Sequence, residues 1–171
     1  GVTGGEPFLN VLDIELGESV DEIKFPDLGE IHNPTWSPDG RRLAFSANDN
    51  GLTDLFIYDL EAERLERLTD DPYADLQPAW SVAAGRIAFV TDRFSTDLGE
   101  LSIGAYGLAV LDPDSGKIEA LPGFDGAKNI NPQWSDDAES LYFIADPNGI
   151  SNIYRLDLSR RQVYQVTDLL S

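Results

Sequence analysis

Three amide side chains recur at one offset: Asn33, Gln77 and Asn131 each stand three residues before a tryptophan, namely Trp36, Trp80 and Trp134. An amide both donates and accepts hydrogen bonds. Amides repeated at one strand position can hold a polar ligand or partner, or can bond the backbone of a neighbouring segment. The second, structural role is the plainer one. Oxygen-rich loops are the next candidates. Asn48-Asp49-Asn50-Gly51 and Asp112-Pro113-Asp114-Ser115-Gly116 gather side-chain oxygens of the kind that Ca²⁺, a hard ion, prefers. The first lacks the spacing and the bidentate Glu of an EF-hand loop. Both read first as turns, and no metal site is assigned. His32, the single histidine, stands four residues before Trp36, where the other tryptophans have Leu76 and Ile130, which points to strand packing.

Catalytic signatures are missing. The chain has no Gly-x-Ser-x-Gly elbow, no His-Glu-x-x-His helix, no P-loop and no dinucleotide-binding glycine fingerprint. With 31 Asp and Glu in 171 residues, neighbouring carboxylates arise by chance, so no glycosidase pair stands out. The chain is expected to be non-catalytic. Its net charge of −19 repels nucleic acid, whose binding needs Lys and Arg against phosphate. Anionic membrane surfaces are disfavoured in the same way. A basic protein partner or divalent cations remain compatible, and the acidity also keeps a β-rich surface soluble. There is no cysteine, hence no disulfide, and no apolar run of membrane-spanning length or signal peptide. The chain starts at Gly1 without a Met, as a processed or excised segment would.

The elements that carry these residues follow from spacing. Each tryptophan has a Pro two residues earlier (Pro34, Pro78, Pro132), a Ser directly after it and a Phe nine residues later (Phe45, Phe89, Phe143). Asp59 and Asp157 lie 23 residues after Trp36 and Trp134, and Thr69 and Thr167 lie 33 after. The middle copy reaches Asp112 nine residues late. The tryptophans are 44 and 54 residues apart. A period in the low forties made of short strand-like runs points to propeller blades. Trp36-Ser37-Pro38-Asp39-Gly40 is a tight hairpin turn, with Pro38 presetting φ and Gly40 free to turn left-handed. The later copies lose parts of it, and looser turns are expected there. The prolines suit an innermost strand, an edge that faces the central channel. The tryptophans are expected to pack between blades, where Trp to Ala would cost about 3–5 kcal/mol.

The Trp-Ser-Pro-Asp-Gly turn, the strands Leu43-Ala44-Phe45 and Leu55-Phe56-Ile57-Tyr58-Asp59, and the ending Arg67-Leu68-Thr69 resemble the WD40-like (PD40) repeats of the TolB β-propeller family. The resemblance is strongest over Asn33–Asp70 and implies four-stranded blades around a channel. The same repeats resemble the non-catalytic propellers of prolyl-oligopeptidase-type enzymes, so they specify fold better than function.

The predicted fold is all-β: a partial propeller of about three and a half four-stranded antiparallel blades in a single incomplete domain. Residues 1–30 form half a blade, with Asp13 in the register of Asp59. Full blades follow at 31–74, 75–128 and 129–171. An insertion at 92–104 joins the second and third strands of the middle blade. Its Phe94, Leu98, Leu101 and Ile103 either meet a partner or cover the blade's own edge. The expected role is a protein-interaction scaffold in a larger exported bacterial protein, periplasmic or extracellular by the resemblance. Its partner is another protein or the rest of the parent chain, with self-association through exposed blade edges as a further route. The alternative is the regulatory propeller of a serine peptidase whose catalytic domain lies outside this chain.

Overall fold

Four aspartates turn the chain. Asp13, Asp59 and Asp157 each end a strand, Asp112 directly follows one, and one carboxylate oxygen of each caps the turn that follows. Asp13 accepts from the N–H of Glu15 and Leu16 (2.8 and 3.0 Å), and Asp59 from Glu61 and Ala62 (3.0 and 2.8 Å). Asp112 accepts from Asp114 and Ser115, and Asp157 from Arg160. This is the Asx-turn chemistry that favours Asp before a reversal. The Arg160 N–H, the Ser159 hydroxyl and the Arg160 guanidinium hold the Asp157 carboxyl well below the usual carboxylate range.

The computed structural model describes residues 2, 3 and 5 to 170. Gly1, Gly4 and Ser171, which fall in the first and last expected repeats, lie outside the described residues. The described residues form no helix and four antiparallel sheets. The first sheet holds β1 (Val2–Thr3), β2 (Glu6–Asp13) and β3 (Glu18–Lys24). The second runs β4 (Ile31–Trp36), β5 (Arg42–Asp49), β6 (Leu52–Asp59) and β7 (Arg64–Arg67). The third runs β8 (Asp75–Trp80), β9 (Ile87–Thr91), β10 (Gly107–Leu111) and β11 (Ile118–Leu121). The fourth runs β12 (Asn129–Trp134), β13 (Ser140–Ala145), β14 (Asn152–Asp157) and β15 (Gln162–Gln165). Each four-stranded sheet is a meander in chain order, as a propeller blade requires.

The turn after each tryptophan closes alike. Ser37, Ser81 and Ser135 donate their backbone N–H to Arg42, Arg86 and Ser140 carbonyls at 2.8, 2.8 and 3.0 Å. The third copy keeps the tight form, with Ala138 (φ +57°) at the left-handed place of Gly40 (+69°), three residues after the serine; the middle copy is looser, with Gly85 (+66°) four residues after Ser81 and bonded to its carbonyl at 3.1 Å. A left-handed alanine costs roughly 1–2 kcal/mol, against roughly 0.5–1 for glycine's extra chain entropy. Ala138→Gly is therefore expected to raise stability by about 0.5–1 kcal/mol in chemical denaturation. A loss of stability would show that the turn is not strained.

The core lies between blades, not within them. Strand alternation gives the second strands β5 and β9 one face of larger and one of smaller side chains. Leu43, Phe45 and Ala47 of β5 face back onto Ile23 and Phe25. Ala44 and Leu55, Ile57 of β6 face forward onto Trp80, Ile87 and Phe89. Ala88, Val90 and Leu108 face forward again onto Leu141, Phe143 and Tyr154. Phe45, Phe89 and Phe143, nine residues after their tryptophans, are all at most 1 % exposed. The first strand of one blade lies across the preceding sheet: β8 on β4, β5 and β6, and β12 on β8, β9 and β10. Innermost strands β4, β8 and β12 thus sit side by side along the channel.

Candidate functional site

The recurring amides lie on the innermost strands, at a bulge in each. Pairing slips between His32 and Thr35, between Leu76 and Ala79, and between Ile130 and Gln133. At each slip the amide residue takes a left-handed backbone: φ is +52°, +52° and +53° for Asn33, Gln77 and Asn131. Asn tolerates this conformation better than most residues. The three bulges line a cavity of about 160 Å³ with Thr35 and Gln133. Within it the Gln77 amide oxygen accepts the Asn131 N–H at 2.8 Å, so this amide ties one blade to the next. Thr35 does the same by accepting the Trp80 N–H at 3.2 Å. His32 is not packed: its ring is half exposed and lies 3.5 Å from the Glu30 carboxylate.

The tryptophans share a register and differ in setting. Trp80 is buried, with the Arg42 guanidinium 4.9 Å over its ring. Trp134 is half-buried and donates its indole N–H to the Ala79 carbonyl of the preceding innermost strand at 2.9 Å. Trp36 is 46 % exposed. Its sheet follows the three-stranded one, in which the described residues form no counterpart of β8 for the indole to bond.

At the end of the blades that bears the second-to-third-strand turns, two arginines, each in a pair of ion pairs, clamp the chain around the connection from β7 to β8. Arg67 bonds Asp54 at 2.6 Å and Asp49 at 3.0 Å. Arg93 bonds Asp75 at 2.6 Å and Asp71 at 2.9 Å, flanked by the Tyr73 and Phe89 rings. Asp54 and Asp75 are both fully buried. Burial pushes the Asp75 carboxyl up, opposed by the Thr91 hydroxyl and Arg93. Asp54 is raised by burial likewise, against Arg67 and Thr69. The Asn48–Gly51 oxygens are spent internally: Asn48 caps the Gly51 N–H, and Asp49 takes Asn50 and Arg67. Among the described residues no three His, Asp or Glu converge on a metal position.

The insertion stands at the same end. It is a small hairpin closed by an Asp97–Ser102 bridge. Its base is tied down by a relay in which Thr96 bonds Asp92 at 2.8 Å and accepts the Gly104 N–H at 3.0 Å. A Cβ on Gly104 would collide with Ser95. The hairpin therefore presents its apolar residues outward: Phe94, Leu98, Leu101 and Ile103 are 52, 46, 88 and 84 % exposed. It does not fold them over the blade's own edge. Spacing did not single out Tyr106 and Phe124, which flank the hairpin's base, or the arginine clamps. The glycines around Phe124 (Gly123, Gly126) and the scarcity of cations among 31 acids were the available signals.

Meandering four-stranded blades, stacked face to face about innermost strands, define a β-propeller, with a polar channel and a loop-bearing end. The chain belongs to the TolB β-propeller (PD40) family, whose model matches residues 2–168. It is similar to dipeptidyl-peptidase 5 of Porphyromonas gingivalis, 27 % identical over 91 % of this chain and 23 % of that protein. It is also similar to the Tol-Pal system protein TolB of Anaeromyxobacter dehalogenans, 36 % identical over 33 % of this chain and 14 % of that protein. The crystal structure of TolB from Acinetobacter baumannii superposes with a TM-score of 0.76 at 21 % identity, over 95 % of this chain and 38 % of that one. The chain thus spans less than half the length of each of these relatives.

Proposed function

We propose that this chain is a non-catalytic, protein-recognising part of a TolB-type propeller, belonging to a larger exported bacterial protein that works in the periplasm or outside the cell. One observation carries this reading: a tethered hairpin that exposes four large apolar side chains at the loop-bearing end. Contiguous exposed apolar surface of this kind marks interaction sites. Phe94, Leu98 and Leu101 are assigned to a protein partner or to the remainder of the parent chain. Asn33, Gln77 and Asn131 are assigned to whatever approaches the channel. Likeness to a Tol-Pal system protein supports the assignment, and the charge of −19 directs it away from nucleic acid.

A photo-reactive amino acid placed at Phe94 or Leu101 in the parent protein tests this in cells. It is expected to trap a discrete partner, whereas the same group at Val82, 72 % exposed at the opposite end, is expected to trap none. The double variant Leu101→Asp, Ile103→Asp is expected to weaken that capture at least about tenfold with an unchanged melting temperature, since both side chains lie in solvent. Equal trapping at both ends would overturn the reading.

A second reading rests on the likeness to dipeptidyl-peptidase 5, which covers 91 % of this chain and leaves most of that protein unmatched. Here the chain is the propeller of a serine peptidase and guards a catalytic domain elsewhere in the parent. A hydrolase segment with a Gly-x-Ser-x-Gly elbow in the parent reading frame, with peptidase activity lost on mutating its serine, selects this reading.

A further inference from the structure

Beside the insertion hairpin lies a cleft of about 370 Å³; in the other four-stranded blades the second and third strands are joined by short turns. Its floor is apolar: buried Leu108, with Leu121 and Phe124. Phe124 is fixed there by edge contact with Tyr154, with ring centroids 4.7 Å apart. Phe94 and Tyr106, 52 and 37 % exposed, stand at its lining.

The cleft is built rather than incidental. The Asn129 amide, 2 % exposed, staples both walls by donating to the Tyr106, Phe124 and Ala127 carbonyls and accepting the Phe124 N–H. Ser95 holds the opposite lip through a 2.7 Å bond to the Ala105 carbonyl. A Cβ on Gly123 would approach Asn129 Oδ1 to 2.7 Å, so the wall needs glycine.

Charge among the residues that line the cleft has one sign. Asp125 is the charged lining residue, and Asp97 and Glu100 are exposed on the hairpin. Three cations come near in sequence or by contact: Arg93 is engaged with Asp71 and Asp75, Lys128 with Asp146 at 3.7 Å, and Arg161 donates to the Ala120 carbonyl at 3.3 Å.

From this we infer that the cleft takes an apolar or aromatic side chain from a basic peptide segment of the partner. The inference rests on the protein-recognition reading above and names the chemistry of its site. The volume suits a large side chain with part of its backbone. The carboxylates select cationic flanks and speed their approach, an effect that salt weakens.

Isothermal titration of the chain with three synthetic peptides tests it: phenylalanine flanked by lysines, phenylalanine flanked by glutamates, and serine flanked by lysines. The first is expected to bind at least about tenfold more tightly than either control. Its affinity is expected to fall with added salt. Ala105→Trp, which fills the cleft without touching the core, is expected to abolish that preference. Equal binding of the lysine-flanked phenylalanine and serine peptides would overturn the cleft as the binding element. Equal binding of the two phenylalanine peptides would overturn its charge selection. If the parent's cellular cross-link at Leu101 survives Ala105→Trp unchanged, the hairpin reading stands and the cleft inference falls. If the cross-link itself is absent, the hairpin reading falls first.

Discussion

Trp80→Ala is expected to lower the unfolding free energy by about 3–5 kcal/mol, whereas Trp36→Ala, at the same place in the motif, costs under about 1 kcal/mol. The difference has one main physical cause, to which the bond from the Trp80 indole to the Gly85 carbonyl of its own turn, at 3.2 Å, adds a smaller part. Trp80 is 5 % exposed and packs between Ala44, Leu55 and Ile57 of one blade and Ile87 and Phe89 of its own. Removing it opens a cavity in an interface that neighbouring strands cannot refill, so the loss of transfer energy and of contacts add. Trp36 is 46 % exposed, and its truncation exposes little that was dry. Urea unfolding of both variants against the parent chain measures this. Equal losses would mean that the tryptophans stabilise their own turns rather than the seam between blades.

Arg93→Leu is the second variant with a large expected effect, a loss of about 3–5 kcal/mol at neutral pH. The pair itself need not stabilise the fold over an apolar replacement. Breaking it does cost, because Asp75 stays fully buried and loses the guanidinium 2.6 Å away. The direction with pH follows from the carboxyl. Its folded value already lies above the ordinary one because burial outweighs Thr91 and Arg93. Without Arg93 it rises further. A carboxyl raised by folding favours the folded state below its unfolded pKa of about 3.9 and loses that advantage as pH climbs through the folded value. The deficit of Arg93→Leu is therefore smallest near pH 3.5–4 and grows toward pH 7. Adding Asp75→Asn is expected to recover part of it and flatten the pH dependence. A deficit independent of pH would mean that Arg93 acts only by packing on Tyr73 and Phe89.

Much of this architecture could be read from residue spacing, because the residues that close turns and fill seams are few and chemically distinct. Asp59, Asp112 and Asp157 mark hairpins through a carboxylate that caps the turn, and Asp13 could be placed in the same register before any sheet was seen. Phe45, Phe89 and Phe143 could be placed because a strand that faces another blade needs one large side chain at a constant height. Other features were hidden for physical reasons. A residue before proline is biased toward extended backbone, so nothing local announced the left-handed Asn33, Gln77 and Asn131. Trp36 looks like its equivalents because the motif records only what lies on its own strand. What lies behind it depends on the preceding sheet. The insertion has apolar residues without strand or helix periodicity, so their direction is set by the Asp92–Thr96–Gly104 relay and not by a pattern in the sequence. Arg67 and Arg93 were obscured by the excess of acids, any of which could have partnered them.

The three indoles report on blade stacking without any ligand or partner. Three single-tryptophan chains, made by Trp→Phe at the other two positions, can be titrated with acrylamide, a neutral quencher indifferent to the charge of −19. Quenching is expected to be greatest at Trp36, intermediate at Trp134 and least at Trp80. Three equal quenching constants, or Trp80 quenched as readily as Trp36, would contradict blade stacking.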